Sequence, residues 1–206
     1  LLLPFLLIIT RVDVLFCPGN VSPIFGFVKK AQWVGTVGPF EPNFISSFGW
    51  KQKIVLFISK YLIILSSKTS DLVIFESQYT RNLFVEKYGQ LKDKAAVLHI
   101  GNDEYFHPVT SAESSIFANY NQKEFLLTVS HLYPYKNIEL LIGSFKQLSL
   151  KQRGLYLLIA GSIVDEPYYE RLKGLLERYD ISDHVVFLGR LDRSELKELY
   201  SRCKAF

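Results

Sequence analysis

The stretch from Phe125 to Phe145, FLLTVSHLYPYKNIELLIGSF, admits few folds. Its first part, Phe125 to Val129, is a continuous apolar run of strand length bounded by polar residues, which suits a strand buried on both faces of a sheet. Its last part, continued by one turn, puts Ile138, Leu141, Ile142, Phe145 and Leu148 at helical spacing, so one stripe of an amphipathic helix faces that sheet. Between them, in SHLYPYKN, Pro134 stops the strand and Asn137 is placed to cap the first free amides of the helix. Lys136 sits beside that cap. Free N–H groups at the positive end of a helix dipole, with a lysine next to them, form a seat for a phosphate. A solvated lysine in an ordinary turn accounts for the same residues equally well, so spacing alone leaves both readings open.

The 206 residues are 49% hydrophobic and 21% charged, which excludes a disordered chain and is enough for one large or two small domains. There is no methionine and the chain opens abruptly with LLLPFLLIIT, so it is expected to be a piece of a longer reading frame. That opening run lacks the basic segment and the small-residue cleavage site of a signal peptide, and Pro4 and Arg11 leave it too short to cross a bilayer. A buried helix is expected there. Cys17 and Cys203 lie far apart in apolar settings and support neither a disulfide framework nor a metal site, which fits a reducing cytoplasm. A net charge of +4 and an isoelectric point near 8.9 suit anionic substrates or a membrane surface and fall short of a nucleic-acid footprint.

Strands and helices alternate along the chain. Strands are predicted at Asp13 to Phe16, Ala31 to Val37, Leu72 to Phe75 and Ala96 to Ile100. The first is closed by a turn at Pro18, Gly19 and Asn20, and the second by Gly38, Pro39 and the irregular PFEPNF loop. From Trp50 to Lys68 the sequence is apolar nearly all round, with Lys51, Lys53, Lys60 and Lys68 its only charges, and a core helix is favoured over one that touches a membrane. Ser77 caps a helix that runs to about Tyr88 and ends at Gly89. A polar segment, HIGNDEYFHPVTSAESS, then separates two strand–helix blocks, and the expected division is 1–104, a linker over 105–124, and 125–206.

The second block has strands at Phe125 to Val129, Leu155 to Ala160 and Val185 to Leu188. Pro167 opens a helix carrying Tyr169, Leu172, Leu176 and Tyr179 on one face, and Asp192, three residues before Glu195, opens another with Leu196, Leu199, Tyr200 and Cys203 inward. Strands separated by helices imply parallel pairing, so the fold class is α/β with two doubly wound, Rossmann-like sheets. Ligands then belong beyond the carboxyl ends of the strands, at SHLYPYKN, GSIVDE and GRLD in the second block.

The strings VSHLYPYKN, LLIAGS and VVFLGRLDRSELKELYSRC together resemble the donor-binding domain of retaining glycosyltransferases of the GT-B fold, family 4 type. DVLFCPGN, SDLVIFESQYTRNLFVEKYG and AVLHIGNDEYFHP look like the later half of that family's amino-terminal domain and its linker. Both domains are incomplete by this resemblance: the start of the first and the end of the second are missing.

The resemblance implies particular roles. The family's loop after the first strand of the donor domain reads Gly-Arg-Leu and, four residues on, Lys-Gly, where Arg and Lys hold the donor diphosphate. Lys136 matches that lysine, His131 stands at the arginine, and Ser130 and Asn137 stand at the two glycines. Lys136 and His131 are thereby the expected catalytic pair, with Arg190 as another source of a second cation. Gly161 and Ser162 match the turn beside the donor, and Gly189 and Arg190 the turn at the nucleobase. Acceptor contacts are expected from Asn20, Phe40 and Glu41. The family's pair of glutamates would follow Phe206, so these 206 residues alone are expected to be inactive.

The activity implied is transfer of a sugar from a UDP-, GDP- or ADP-sugar to a glycan or lipid-linked acceptor, with retention, in polysaccharide or glycoconjugate synthesis. Cations and a helix terminus would stabilise the leaving diphosphate, with no cofactor and no metal; no Asp-x-Asp string occurs. The expected setting is cytoplasmic, in peripheral contact with an anionic membrane and without nucleic acid. A sugar-nucleotide epimerase of the same fold and a non-catalytic nucleotide-sugar-binding scaffold remain as alternatives.

Overall fold

A computed structural model of the chain describes residues 6, 9, 12–46, 48–101, 103–108, 120, 123–149 and 154–206. It separates into two compact units, Leu1–Gly101 and Asn102–Phe206. Most of the expected linker, 109–119 with 121–122, lies outside the described residues. Of the opening apolar run only Leu6 and Ile9 are described. Both are helical, and both are exposed rather than buried.

In the first unit, β1 (Val14–Cys17), β2 (Lys29–Val34), β3 (Leu72–Phe75) and β4 (Ala95–Val97) pair in that order, all parallel. Helices α1 (Pro42–Ser46), α2 (Trp50–Thr69) and α3 (Gln78–Lys87) connect them. Val34, Val73 and Phe75 project from one face of the sheet onto Ile63 of α2 and Phe84 of α3, and these are almost fully buried. Ser77 caps α3 as expected, its hydroxyl accepting from the Thr80 amide. The opposite face carries Val14 and Phe16, both more than half exposed, so among the described residues the helices of this unit cover one face only.

Helix α2 departs from the core-helix expectation. Its buried side is Ile63, Ser66 and Ser67, whereas Trp50, Ile54, Val55, Phe57, Ile58, Tyr61, Leu62 and Leu65 are all exposed. The sheet beneath explains Ser66, whereas the buried Ser67 hydroxyl makes no hydrogen bond among the described residues. Gln32 of β2 is fully buried and donates to the Ser66 hydroxyl at 2.9 Å, and Ser70 donates to Gln32 at 3.2 Å, so polar partners are what this helix must present inward.

In the second unit, β5 (Glu124–Val129), β6 (Leu155–Ala160) and β7 (Val185–Gly189) form a parallel sheet in that order. Helices α4 (Ile138–Ser149) and α5 (Glu166–Tyr179) pack on one face through Ile142, Phe145, Leu172 and Leu176 against Leu155, Leu157 and Ile159. Helix α6 (Arg193–Arg202) packs on the other through Leu199, against Phe125, Leu127 and Leu158. This alternation along β5 and β6 makes the sheet doubly wound. The Asp192–Glu195 capping box opens α6 as the spacing predicts. After α6 the chain returns beside β5, where Leu127 N–H donates to Ala205 at 3.0 Å and Lys204 N–H to Phe125 at 2.9 Å. Strand β5 therefore lies between the incoming 204–205 segment and β6. The winding reverses at β5, and that is where an open α/β sheet leaves a ligand crevice.

Two contacts in this unit were not visible in the sequence. Asp103 pairs with Arg193, whose guanidinium stands 4.6 Å from the Tyr105 ring, and Phe106 meets Tyr200 edge-on at 5.8 Å, so the segment around residue 105 is clasped to α6. The first amide of α4 is not capped by Asn137. Asn137 takes the left-handed conformation, φ 52°, which an asparagine tolerates better than most residues, and Ile138 N–H donates instead to Tyr168 Oη at 3.0 Å. Tyr168 is fully buried and donates in turn to Glu139.

Burial, together with the hydrogen bond its hydroxyl donates to the Glu139 carboxylate, pushes the Tyr168 phenol far above the ordinary tyrosine range. Tyr168→Phe leaves Ile138 N–H and Glu139 without this partner and should lower stability by about 1–3 kcal/mol in urea unfolding at neutral pH. The folded state holds the Tyr168 proton more tightly than the unfolded chain. Its contribution is thus complete below about pH 10 and lost as pH rises above that, so the difference between wild type and Tyr168→Phe should shrink from pH 9 to pH 11.

Candidate functional site

The carboxyl ends of β5, β6 and β7 are drawn together by their own backbones. Ser130 N–H donates to Ala160 at 2.8 Å, Leu132 N–H to Ser162 at 3.1 Å, and Gly161 N–H to Gly189 at 2.7 Å. Gly161, at φ 150°, makes this possible, because a Cβ there would lie 2.0 Å from the Ser130 carbonyl oxygen. Its missing side chain serves the approach of two strand ends. Gly189 adopts φ 70° with open space around it, so its requirement is conformational alone.

Against these strand ends lies a cavity of about 340 Å³ lined by Val129, Ser130, His131, Tyr135, Lys136, Ala160 and Gly161. It collects the expected pair, Lys136 and His131, with Ser130 and Gly161. Ser162 and Gly189 adjoin it through the backbone bonds just described, while the exposed Arg190 and Asn137 are not among its lining residues. Lys136 comes from the 3₁₀ turn Pro134–Lys136, held by Lys136 N–H to Tyr133 O at 3.0 Å. Its ammonium stands 5.2 Å from the Tyr135 ring, which stacks on Tyr133 at 5.4 Å. The 3₁₀ turn, and not the first turn of α4, thus borders the cavity.

His131 is oriented by a contact the sequence did not reveal. Its Nδ1 accepts the Ser162 N–H at 3.2 Å, so the neutral ring carries its proton on Nε2. The exposed ring then offers Nε2–H as a donor at the position where the resembled family has an arginine. A cation from Lys136 and a neutral N–H from His131 suit an oxyanion of modest size such as a phosphate or diphosphate.

The expected acceptor-side residues divide. Asn20, at φ 67°, accepts from Gly35 N–H at 2.8 Å and Thr36 N–H at 3.1 Å, so its side chain shapes the turn after β2. Phe40 is buried in the core, its ring 4.4 Å from that of Phe84, and offers no surface to a substrate. Glu41 accepts from the exposed Tyr79 Oη at 2.6 Å, which pushes that phenol's pKa up. Glu76 and His99 stand at the same edge: Trp33 Nε1 donates to Glu76 Oε1 at 2.7 Å, and His99 Nδ1 lies 3.1 Å from Glu76 O. Glu76 was missed in the sequence, although the string LVIFES, a carboxylate directly after an apolar strand, points to it. Among the described residues no group of three or more His, Cys, Asp or Glu is placed to hold a metal ion.

Residues 110–206 match the family described as glycosyl transferases, group 1. Over 190 residues, 91% of this chain and 48% of the relative, the sequence is 22% identical to the GDP-mannose-dependent alpha-(1-6)-phosphatidylinositol monomannoside mannosyltransferase of Mycobacterium tuberculosis. It is 33% identical over 84 residues, 40% of this chain and 10% of the relative, to the serotype-specific mannosyltransferase WbdA of Escherichia coli. Among solved structures, Anabaena HepE in complex with UDP and glucose aligns with a TM-score of 0.74 at 16% identity, over 97% of this chain and 53% of that one. WaaG, a glycosyltransferase involved in lipopolysaccharide biosynthesis, aligns at 0.70 and 13% identity, over 98% and 54%. The chain spans about half the length of the mycobacterial mannosyltransferase. Its two parallel-sheet units have the Rossmann-like α/β fold of these GT-B proteins.

Gly161→Ala should force the ends of β5 and β6 apart, at a cost on the order of 1–3 kcal/mol in chemical denaturation, whereas Gly189→Asn, where space is open and asparagine tolerates φ > 0, should remain close to wild type.

Proposed function

We propose that the chain is part of a glycosyltransferase that moves a sugar from a nucleotide-sugar donor to a glycan or lipid-linked acceptor, with retention, in polysaccharide or glycoconjugate synthesis. One observation carries this reading. The cavity at the point where the sheet reverses its winding brings together Lys136, the Nε2–H of His131 and the glycine-bearing turn at Gly161. The match of residues 110–206 to group 1 glycosyl transferases and the likeness to HepE in complex with UDP and glucose support it.

In such a transfer, negative charge develops on the leaving diphosphate as the glycosidic bond to it lengthens. Lys136 supplies a full positive charge to that oxyanion and His131 a hydrogen bond, the His131 ring being oriented beforehand by Ser162 N–H. His131 donates without charge while Ser162 N–H occupies Nδ1, so Lys136 carries the larger share. The roles of Gly189 and Arg190 toward the nucleobase, of Glu41 and Glu76 toward the acceptor, and the independence of the reaction from any cofactor belong to the same proposal. So does a cytoplasmic setting in peripheral contact with a membrane.

Calorimetric titration of the chain with UDP, GDP and their sugar conjugates tests the donor assignment. Lys136→Ala should weaken the nucleotide that binds by about 1.5–3 kcal/mol, the range for a hydrogen bond to a charged group, and His131→Ala by about 0.5–1.5 kcal/mol, the range for a neutral one. Absence of binding by the folded chain, or binding indifferent to both substitutions, contradicts the assignment.

A further inference from the structure

Helix α2 is inverted relative to a helix that faces water. It buries Ser66 and Ser67 completely and holds Trp50, Ile54, Phe57, Ile58, Tyr61 and Leu65 between 45% and 69% exposed. These six recur at i, i+4, i+7, i+8, i+11 and i+15, so they form one continuous stripe along most of a helix about 30 Å long. An apolar surface of this extent on a water-facing helix marks an interaction site.

The charges on the same helix say what it meets. From Trp50 to Thr69 there is no Asp or Glu, while the exposed Lys51, Lys53 and Lys68 stand in its first and last turns and Lys60 lies 5.7 Å over the buried Phe40 ring. Lysines flanking an apolar face keep their ammonium groups at the level of anionic headgroups while their stems lie on apolar surface. Trp50, at the first position of the helix, and Tyr61 are amphipathic rings of the kind that settle at a membrane–water interface. Among the described residues no helix is long and apolar enough to cross a bilayer, which leaves a helix lying in the interface plane.

We propose that the Trp50–Thr69 helix is a membrane-docking surface that inserts its apolar stripe into the headgroup region of an anionic lipid bilayer, with the exposed Lys51, Lys53 and Lys68 on the phosphates. The inference deepens the peripheral membrane contact of the proposed function and is independent of the donor site. Vesicle binding is read without nucleotide and nucleotide binding without vesicles, so either can fail while the other stands.

The test is cosedimentation of the 206-residue chain with vesicles of phosphatidylcholine alone or with about one third phosphatidylglycerol, alongside the emission of its two tryptophans, Trp33 and Trp50. The chain should bind the anionic vesicles at least about tenfold more tightly than the neutral ones, and less so at about 0.5 M salt. Its emission should shift to the blue on binding, and Trp50→Phe should abolish that shift. Ile54→Glu with Phe57→Glu, both on the exposed stripe, should lower anionic-vesicle binding at least about tenfold and leave nucleotide binding unchanged. Lys51→Glu with Lys53→Glu, which leaves the apolar stripe intact, should do the same. Failure to bind anionic vesicles overturns the proposal, as does binding that neither pair of substitutions reduces. So does a chain that sediments as a dimer which Ile54→Glu with Phe57→Glu dissolves, since a second copy would then cover the stripe.

Discussion

The candidate site depends on one close approach of backbone to backbone. Where β5 and β6 end, Gly161 comes so near Ser130 that no methyl group fits, and the three hydrogen bonds around it fix the ends of three parallel strands in one plane. The loops that leave those ends inherit that rigidity. The 3₁₀ turn carrying Lys136 starts four residues beyond Ser130, and the Ser162 amide that orients His131 is the residue after Gly161. The backbone turn that carries a cation, and a directed N–H, are thus held at the edge of a cavity by the sheet.

The same unit shows why the crevice falls at β5. Hydrophobic residues on both faces of β5 and β6 recruit α4 and α5 to one side and α6 to the other, and after α6 the 204–205 segment returns to the edge of β5. This reversal is a consequence of which side chains alternate along Phe125 to Val129, and it places the ligand before any binding residue is considered.

Much of this was legible in the sequence because it rests on local signals. The β3 and β6 runs, Leu72 to Phe75 and Leu155 to Ala160, are continuous apolar segments, and Ser77 and Asp192 are followed three residues on by the groups they cap. What escaped depends on partners far along the chain. Asn137 was read as a helix cap, but its backbone turns left-handed and the Ile138 amide goes to Tyr168, thirty residues later. Phe40 sits in a loop that reads as a site, yet its ring completes a cluster with Phe84. Helix α2 looked like core because its composition is apolar. The buried Gln32 on the neighbouring strand is what Ser66 turns inward to meet, while the aromatics lie outward. Burial of a polar residue on a sheet cannot be inferred from the helix that covers it.

Amide chemical shifts of the ¹⁵N-labelled 206-residue chain, recorded as UDP or GDP is added, test whether the end of β5 is the donor site. Shifts concentrated at Ser130, His131, Lys136, Gly161, Ser162 and Gly189, with the His131 Nε2 proton moving while Nδ1 keeps its bond to Ser162, are the predicted result. Saturable shifts clustered in the first unit, or none at these six residues, would contradict the assignment of this cavity to the donor diphosphate.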